Sequence, residues 1–121
     1  MDYLTRERLK KAWLARTERQ KHEEQELRRK AREKAAAVAR HLKENYEVGS
    51  VYLYGSLVWS DHYSPLSDID LLIVGFGPIY SYWKMVAEAQ DIAAPLAISV
   101  VLEEDASLSL RQKVLTKGEI L

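Results

Sequence analysis

The first 45 residues constrain this chain most, because they contain no glycine and no proline. They consist mainly of Lys, Arg, Glu, Gln and Ala, which are strong helix formers, so we predict one long helix. This helix would carry an apolar stripe at three- and four-residue steps, formed by Leu27, Ala31, Ala35, Val38, Leu42 and Tyr46. The stripe predicts that the second half of the helix packs against a domain formed by the rest of the chain.

The first half of this helix has a different pattern. Residues 16–26 include no apolar side chain, although the helix is expected to continue through them. A separate apolar patch lies nearer the N-terminus and consists of Leu4, Leu9, Trp13 and Leu14. This patch fits an arm that grips a partner protein or a second subunit, and it equally fits a solvated helix with a frayed end. We therefore divide the chain into a charged helical extension, residues 1–34, and a domain, residues 35–121.

Three short apolar runs after this helix are typical of β-strands, at residues 51–54, 68–74 and 96–102. We predict three further helices: a short one within residues 55–63, a second over 79–92, and a third over 108–117 that Gly118 closes. The middle strand is apolar on both faces and is expected at the centre of the sheet. The predicted fold class is α+β, with a small mixed β-sheet, helices on one face and a long N-terminal helix.

The bulk composition excludes several classes of protein. The 121 residues fit one globular unit, and 18 basic residues balance 18 acidic ones, so no global positive field favours a nucleic-acid partner. The absence of cysteine excludes disulfides and thiolate metal sites. No apolar run is long enough to cross a membrane, and the charged first thirty residues lack the apolar core of a signal peptide. We therefore expect a cytoplasmic protein with no membrane partner.

Two aspartates stand at the start of the middle strand. Side chains at alternate positions of a strand point the same way, so Asp68 and Asp70 share one face, with Cα atoms roughly 6.5–7 Å apart. Two carboxylates this close repel each other unless a cation lies between them. Mg²⁺ or Mn²⁺ suits this role, because such ions combine one or two carboxylates with water and phosphate oxygens.

A small-residue turn ends the preceding strand. Gly55 has no Cβ, so a phosphate can approach its backbone, and Ser56 offers a hydroxyl and an amide. The short helix that follows would direct its N-terminus at the same anion. A lone Gly-Ser is usually just a turn, and a lone Asp-x-Asp is often just a strand start. Together, in this order and eleven residues apart, they favour a site for a nucleoside triphosphate and its metal.

These residues carry a resemblance to a known family. Residues 52–73 resemble the signature of the minimal nucleotidyltransferases of the DNA polymerase beta superfamily, and the likeness continues more weakly over 35–121. The family commonly has ten residues between the two elements and often has Arg where this chain has Leu57. The resemblance implies transfer of a nucleoside monophosphate, AMP from ATP, to an acceptor hydroxyl. It assigns Mg²⁺ to Asp68 and Asp70, and the β- and γ-phosphates to Gly55 and Ser56.

One departure from the family concerns a third carboxylate on the third strand, which helps to deprotonate the attacking hydroxyl. The position that matches it here is Ser99, which cannot act as a base at neutral pH. Glu103 lies four residues after Ser99, so strand alternation would place it on the same face, and it is a possible substitute, although it lies at the far end of the strand. His62 could take a proton at physiological pH, but a surface loop residue is the favoured interpretation.

The resemblance leaves two functions open. The first is an active Mg²⁺-dependent nucleotidyltransferase. Small members of the family resemble the antitoxin half of a bacterial two-protein module, in which the antitoxin modifies a tyrosine of a helical ribonuclease toxin. The second is a nucleotidyltransferase scaffold that has lost turnover and acts by docking a partner. Ser99 and the charged arm favour the second function, whereas the intact Gly-Ser and Asp-x-Asp elements favour the first.

Overall fold

The computed structural model describes residues 2–121. One unbroken helix, α1, spans Tyr3–Tyr46, and the side chain of Asp2 caps it by accepting a hydrogen bond from the Thr5 amide at 2.7 Å. The helix ends at Glu47, which adopts a left-handed conformation with φ of 50°. The predicted long helix is therefore confirmed, and it crosses the boundary drawn between residues 34 and 35 without a break. Met1, the first residue of the predicted extension, lies outside the described residues.

The four strands form one mixed sheet in the order β3-β2-β1-β4. Strand β1 is Ser50–Tyr54, β2 is Ile69–Val74, β3 is Ile98–Leu102 and β4 is Glu119–Ile120. Strand β1 is antiparallel to both β2 and β4, and β2 is parallel to β3. Strand β2 is central, as its two apolar faces predict. Strand β4 was not predicted from the sequence, because two residues are too short to show any periodicity.

Three shorter helices complete the fold. Helix α2 is Ser56–Trp59, α3 is Tyr82–Ala93 and α4 is Leu108–Lys117, and a 3₁₀ turn, Glu103–Asp105, follows β3. Helix α3 begins three residues later than predicted, because the side chain of Ser81 caps it by accepting from the Lys84 amide. Helix α4 has the predicted bounds.

The helices cover both faces of the sheet unequally. Helices α1 and α3 bury one face, where a core cluster includes Leu42, Leu53, Leu71 and Met85. Helix α4 packs on the other face, where Val114 joins Leu72 and Tyr54. The expected helices on one face are thus α1 and α3, and α4 is an addition to that arrangement. No helix within residues 2–121 has both the length and the apolar character needed to cross a membrane.

Candidate active site

The two aspartates lie where the sequence places them, at the beginning of β2. Asp68 immediately precedes the strand and is exposed, while Asp70 is its second residue and is half-buried. Burial, and secondarily the charge of Asp68, raise the pKa of the Asp70 carboxyl from 3.8 to about 6. The two carboxylates are therefore close enough to repel each other. Such a pair binds a cation more readily than two isolated acids do.

The turn at Gly55 brings the first sequence element against the second. Gly55 has φ of +79°, a conformation that side-chain-bearing residues rarely adopt. A Cβ at this position would lie 2.1 Å from Oδ2 of Asp70. The backbone of Gly55 is thus approached by the carboxylate of Asp70, so both elements of the predicted site meet at one point.

Ser56 begins α2 directly after this turn. The amides of Val58 and Trp59 both donate to the carbonyl of Gly55, at 3.0 and 2.8 Å. The amides of Ser56 and Leu57 come before these bonds and have no acceptor within the helix, as is usual at a helix start. Helix α2 has only four residues, so its dipole is small. An anion at this turn would therefore be bound by individual donors, which are the amides of Ser56 and Leu57 and the hydroxyl of Ser56.

Ser99 lies beside Asp70, because the parallel pairing of β2 with β3 sets these two residues in register. Residues that share a register position point to the same face, so this is the side from which a third acid would reach the aspartates. Glu103 instead begins the 3₁₀ turn beyond β3, with its carboxylate 3.9 Å from the Arg111 guanidinium. Within residues 2–121, no three or more His, Cys, Asp or Glu side chains are grouped to hold a metal ion. The described chain therefore presents two acidic ligands, and Glu103 does not join them.

The chemistry of these ligands fits a hard divalent cation. Among residues 2–121, no Lys, Arg or His nitrogen lies within 4.0 Å of the carboxylate of Asp68 or Asp70. The repulsion between the two acids is thus not balanced by an ion pair with the protein. Two carboxylates on a partly open surface match the usual protein contribution to a Mg²⁺ site, in which water and phosphate oxygens complete the coordination.

The structure adds two residues that the sequence analysis did not single out for this site. Tyr63 is buried, and its hydroxyl donates to the carbonyl of Ser67 at 3.4 Å, next to Asp68 in the chain; its pKa is raised by burial and then by the charges of Asp70 and Asp68. Lys113 of α4 places its ammonium 4.2 Å from the ring centroid of Trp59, the last residue of α2. Neither contact has a local sequence signal, because each depends on how separate elements pack.

His62 and a cleft beside residues 63–65 both border α1. His62 is 93% exposed and its Nδ1 lies 4.0 Å from the carboxylate of Glu24 on α1. A cleft of about 710 Å³ opens between α1 and residues 63–65, and neither Asp68 nor Asp70 lines it. This cleft therefore does not include the predicted metal ligands.

Comparison with known proteins agrees with the geometry. A family model described as polymerase beta, nucleotidyltransferase, matches residues 37–121, which is well over half of the chain. The matched region contains both sequence elements and all four strands. No curated protein matches the chain significantly. The chain therefore belongs to the polymerase beta nucleotidyltransferase family.

Proposed function

We propose that this chain is a Mg²⁺-dependent nucleotidyltransferase that transfers AMP from ATP to an acceptor hydroxyl. The observation that carries the proposal is the meeting of Gly55 with the carboxylate of Asp70, beside Asp68 and with no ion pair to the protein. A polyphosphate at this turn would have amide donors on one side and two acids on the other. That arrangement serves a metal-bound triphosphate, because the acids alone would repel it.

Each residue has a distinct role in this proposal. Asp68 and Asp70 would hold the divalent cation, which when bound neutralises phosphate charge and orients the reacting groups. The backbone at Gly55 and the amide and hydroxyl of Ser56 would hold the β- and γ-phosphates. Lys113 supplies a positive charge beside α2. This charge compensates in part for Leu57, which replaces a family arginine.

A catalytically weak docking protein is the second candidate, and Ser99 favours it. A serine beside Asp70 can neither share the charge of a divalent ion nor act as a base at neutral pH. The N-terminal part of α1 also exposes large apolar side chains, as a docking arm would; they are Tyr3, Leu4, Leu9, Trp13 and Leu14. In this candidate the protein resembles an antitoxin that covers a helical toxin partner, or it pairs with a second copy through α1.

Nucleotide binding tests the metal site directly. ATP is titrated by calorimetry into the protein with and without Mg²⁺, and then into a double variant, Asp68→Asn with Asp70→Asn. We expect metal-dependent binding that the double variant weakens at least about tenfold, as loss of metal ligands does. The matched control is Asp61→Asn, an exposed acid of the same loop, which should bind as the wild type does. Equal binding by the double variant and the wild type would refute the assignment.

Turnover separates the two candidates. The protein is incubated with ATP labelled at the α-phosphate and with the product of the neighbouring gene, and label on protein is measured together with released pyrophosphate. An enzyme transfers label, whereas a docking protein binds both ligands without transfer. Ser99→Asp should raise a weak transfer rate by about tenfold or more, as general-base groups do, while Ser99→Asn should not.

A further inference from the structure

The segment that carries the proposed site, here called the motif loop (residues 55–68), is attached to α1 by polar contacts. Apart from α2 it has no regular structure, and half of its residues are exposed. Only Leu57 and Tyr63 of this loop are buried. A segment with so few apolar anchors needs other contacts to keep Ser56 and Asp68 in fixed positions.

Arg28 of α1 makes the most extensive of these contacts. Its guanidinium donates to the carbonyl of Leu57 at 3.1 Å and to the carbonyl of Ser60 at 2.6 Å. These carbonyls lie at the C-terminal end of α2, where a helix supplies no further amide donors and its last carbonyl oxygens remain unpaired. The planar fork of an arginine can bridge two such oxygens at once, which a lysine cannot do. Arg28 therefore fixes the end of α2 opposite to Ser56.

Glu24, one helical turn before Arg28, holds the next part of the loop. Its carboxylate accepts a hydrogen bond from the Tyr63 amide at 2.7 Å and lies 3.8 Å from the Arg28 guanidinium. The side chains of Glu24 and Arg28 are only 27% and 23% exposed, so water competes weakly for these bonds. The guanidinium also lies 5.8 Å from the ring centroid of Tyr63, whose hydroxyl donates to the carbonyl of Ser67, the residue before Asp68.

A third contact extends this attachment to the edge of the sheet. Arg32 forms an ion pair with Glu119 of β4 at 2.6 Å and donates to the carbonyl of Leu57 at 3.4 Å. Glu24, Arg28 and Arg32 follow one another at intervals of four residues and therefore share one face of α1. All three precede residue 37, where the family match begins. The sequence similarity that identifies the family therefore does not include them.

We propose that Glu24 and Arg28 are positioning residues of the triphosphate site, which hold the motif loop so that Gly55 and Ser56 stay against Asp70. The inference rests on the proposed function. Its physical basis is that a binding turn held in place by surrounding hydrogen bonds does not lose ordering entropy when a ligand arrives. The N-terminal helix is then part of the site from Glu24 onward.

The chain offers a matched pair of arginines for the test. Arg28→Met removes both hydrogen bonds to the loop carbonyls and keeps an unbranched apolar stem. Arg29→Met is the control, because within residues 2–121 Arg29 pairs only with Glu26 and Glu33 on its own helix. We expect Arg28→Met to raise the Kd of Mg-ATP by about 10- to 100-fold, the usual effect of losing an outer support, and Arg29→Met to leave it within about twofold. Equal effects of the two variants would overturn the inference.

Conservative variants separate positioning from general destabilisation. Glu24→Gln retains an oxygen that can accept from the Tyr63 amide, so it should bind Mg-ATP nearly as the wild type does, whereas Glu24→Ala should not. Val38→Ala, in the core under α1, lowers the melting temperature without touching the loop. A Kd that follows the melting temperature across these variants would reduce Glu24 and Arg28 to an ordinary structural role.

Hydrogen exchange keeps this inference distinct from the proposed function. In the absence of any ligand, the amide of Tyr63 should exchange at least about tenfold faster in Arg28→Met than in the wild type or in Arg29→Met. Unchanged exchange refutes the attachment, whatever the result with ATP. Faster exchange of the Tyr63 amide in Arg28→Met with an unaltered Kd of Mg-ATP would show that Arg28 holds the loop but does not contribute to nucleotide binding, which overturns the inference. A wild-type protein that binds no Mg-ATP refutes the proposed function, and exchange alone then decides whether α1 holds the loop.

Discussion

At the scale of single residues, the site combines a charge that is costly to bury with a turn that only glycine can make. Asp70 is half-buried beside Asp68, and its carboxyl pKa is raised to about 6. Gly55 adopts φ of +79° directly against that carboxylate. Both features lower the stability of the metal-free protein. A cation bound there would offset the charge of Asp70, and a phosphate would approach the backbone of Gly55.

The raised pKa of Asp70 predicts a pH-dependent gain in stability on substitution. The Asp70 carboxyl binds its proton more tightly in the folded protein, where its pKa is about 6, than in the unfolded chain, where it is 3.8. The stability that this proton contributes is therefore fully present below about pH 3.8 and is lost as the pH rises through about 6. Asp70→Asn removes this loss. We expect the metal-free variant to melt several degrees above the wild type at pH 8 and to lose that advantage by pH 4. Thermal unfolding at both pH values measures the effect.

Asp61→Asn is the control for this experiment, because Asp61 is exposed in the same loop. It should change the melting temperature little at either pH. If Asp70→Asn shifted the melting temperature equally at pH 8 and pH 4, the carboxylate charge would not be the cause.

Gly55 gives a second prediction. Gly55→Ala places a methyl group where Oδ2 of Asp70 now lies and forces alanine into a left-handed conformation, a strain of about 1–3 kcal/mol. We expect lower stability in urea denaturation and loss of most Mg-ATP affinity. Gly77→Ala is the matched control, since a Cβ there would meet nothing nearer than a Tyr80 ring carbon at 3.9 Å. Normal nucleotide binding by Gly55→Ala would show that this turn does not contact the ligand.

At the scale of elements, α4 brings the positive charge of Lys113 to Trp59, the last residue of α2, from a distant part of the chain. The indole Nε1 of Trp59 donates to the carbonyl of Lys117 at 3.0 Å, and the Lys113 ammonium lies over the same ring. Helix α4 thereby joins α2 at the sheet face where Asp70 lies. In the proposed function, this ammonium takes the part of the arginine that Leu57 replaces.

Lys113→Met should therefore weaken triphosphate binding selectively. An exposed charge contributes up to about 1 kcal/mol, which corresponds to a Kd of Mg-ATP raised about fivefold at low salt. Affinity for AMP should change less, because AMP lacks the β- and γ-phosphates. Lys10→Met, far along α1, controls for the change in net charge. Equal losses for ATP and AMP in competition titrations would contradict a phosphate contact by Lys113.

At the scale of the whole molecule, α1 has two parts with different duties. Its first part exposes Trp13 by 59% and makes no hydrogen bond to the domain before Glu24 among residues 2–121. Its second part supplies both the core stripe and the attachment of the motif loop. The two parts of α1 therefore meet at Glu24, inside the segment 1–34 that composition alone indicates as one charged extension.

Truncation of α1 tests this division. Deletion of residues 1–18 should leave the melting temperature and the Kd of Mg-ATP nearly unchanged, because residues 2–18 form no hydrogen bond or ion pair with residues 47–121. Deletion of residues 1–34 removes Glu24, Arg28 and Arg32 and should raise the Kd about tenfold or more. Equal nucleotide affinity in the two truncated proteins would show that α1 supports the site only through its core stripe. If deletion of residues 1–18 is enough to abolish binding of a partner protein, the docking role of the arm is supported.

Local rules determined much of this protein from its sequence. Forty-five residues without glycine or proline are enough to specify a long helix, and the apolar run that Asp68 precedes is enough to predict β2. The bounds of α4 follow from the Ser107 cap at its start and from Gly118 after its end. Each of these features depends on interactions within a few residues, so the sequence carries its own signal for them.

Only the tertiary structure decided which distant residues meet. The register of β2 with β3 sets Ser99 beside Asp70, and the packing of α1 brings Arg28 to the motif loop. The two-residue strand β4 exists only because β1 offers it a partner. The raised pKa of Asp70 likewise depends on burial and on a neighbouring charge. Such properties arise from distances between chain segments, and local sequence patterns do not encode those distances.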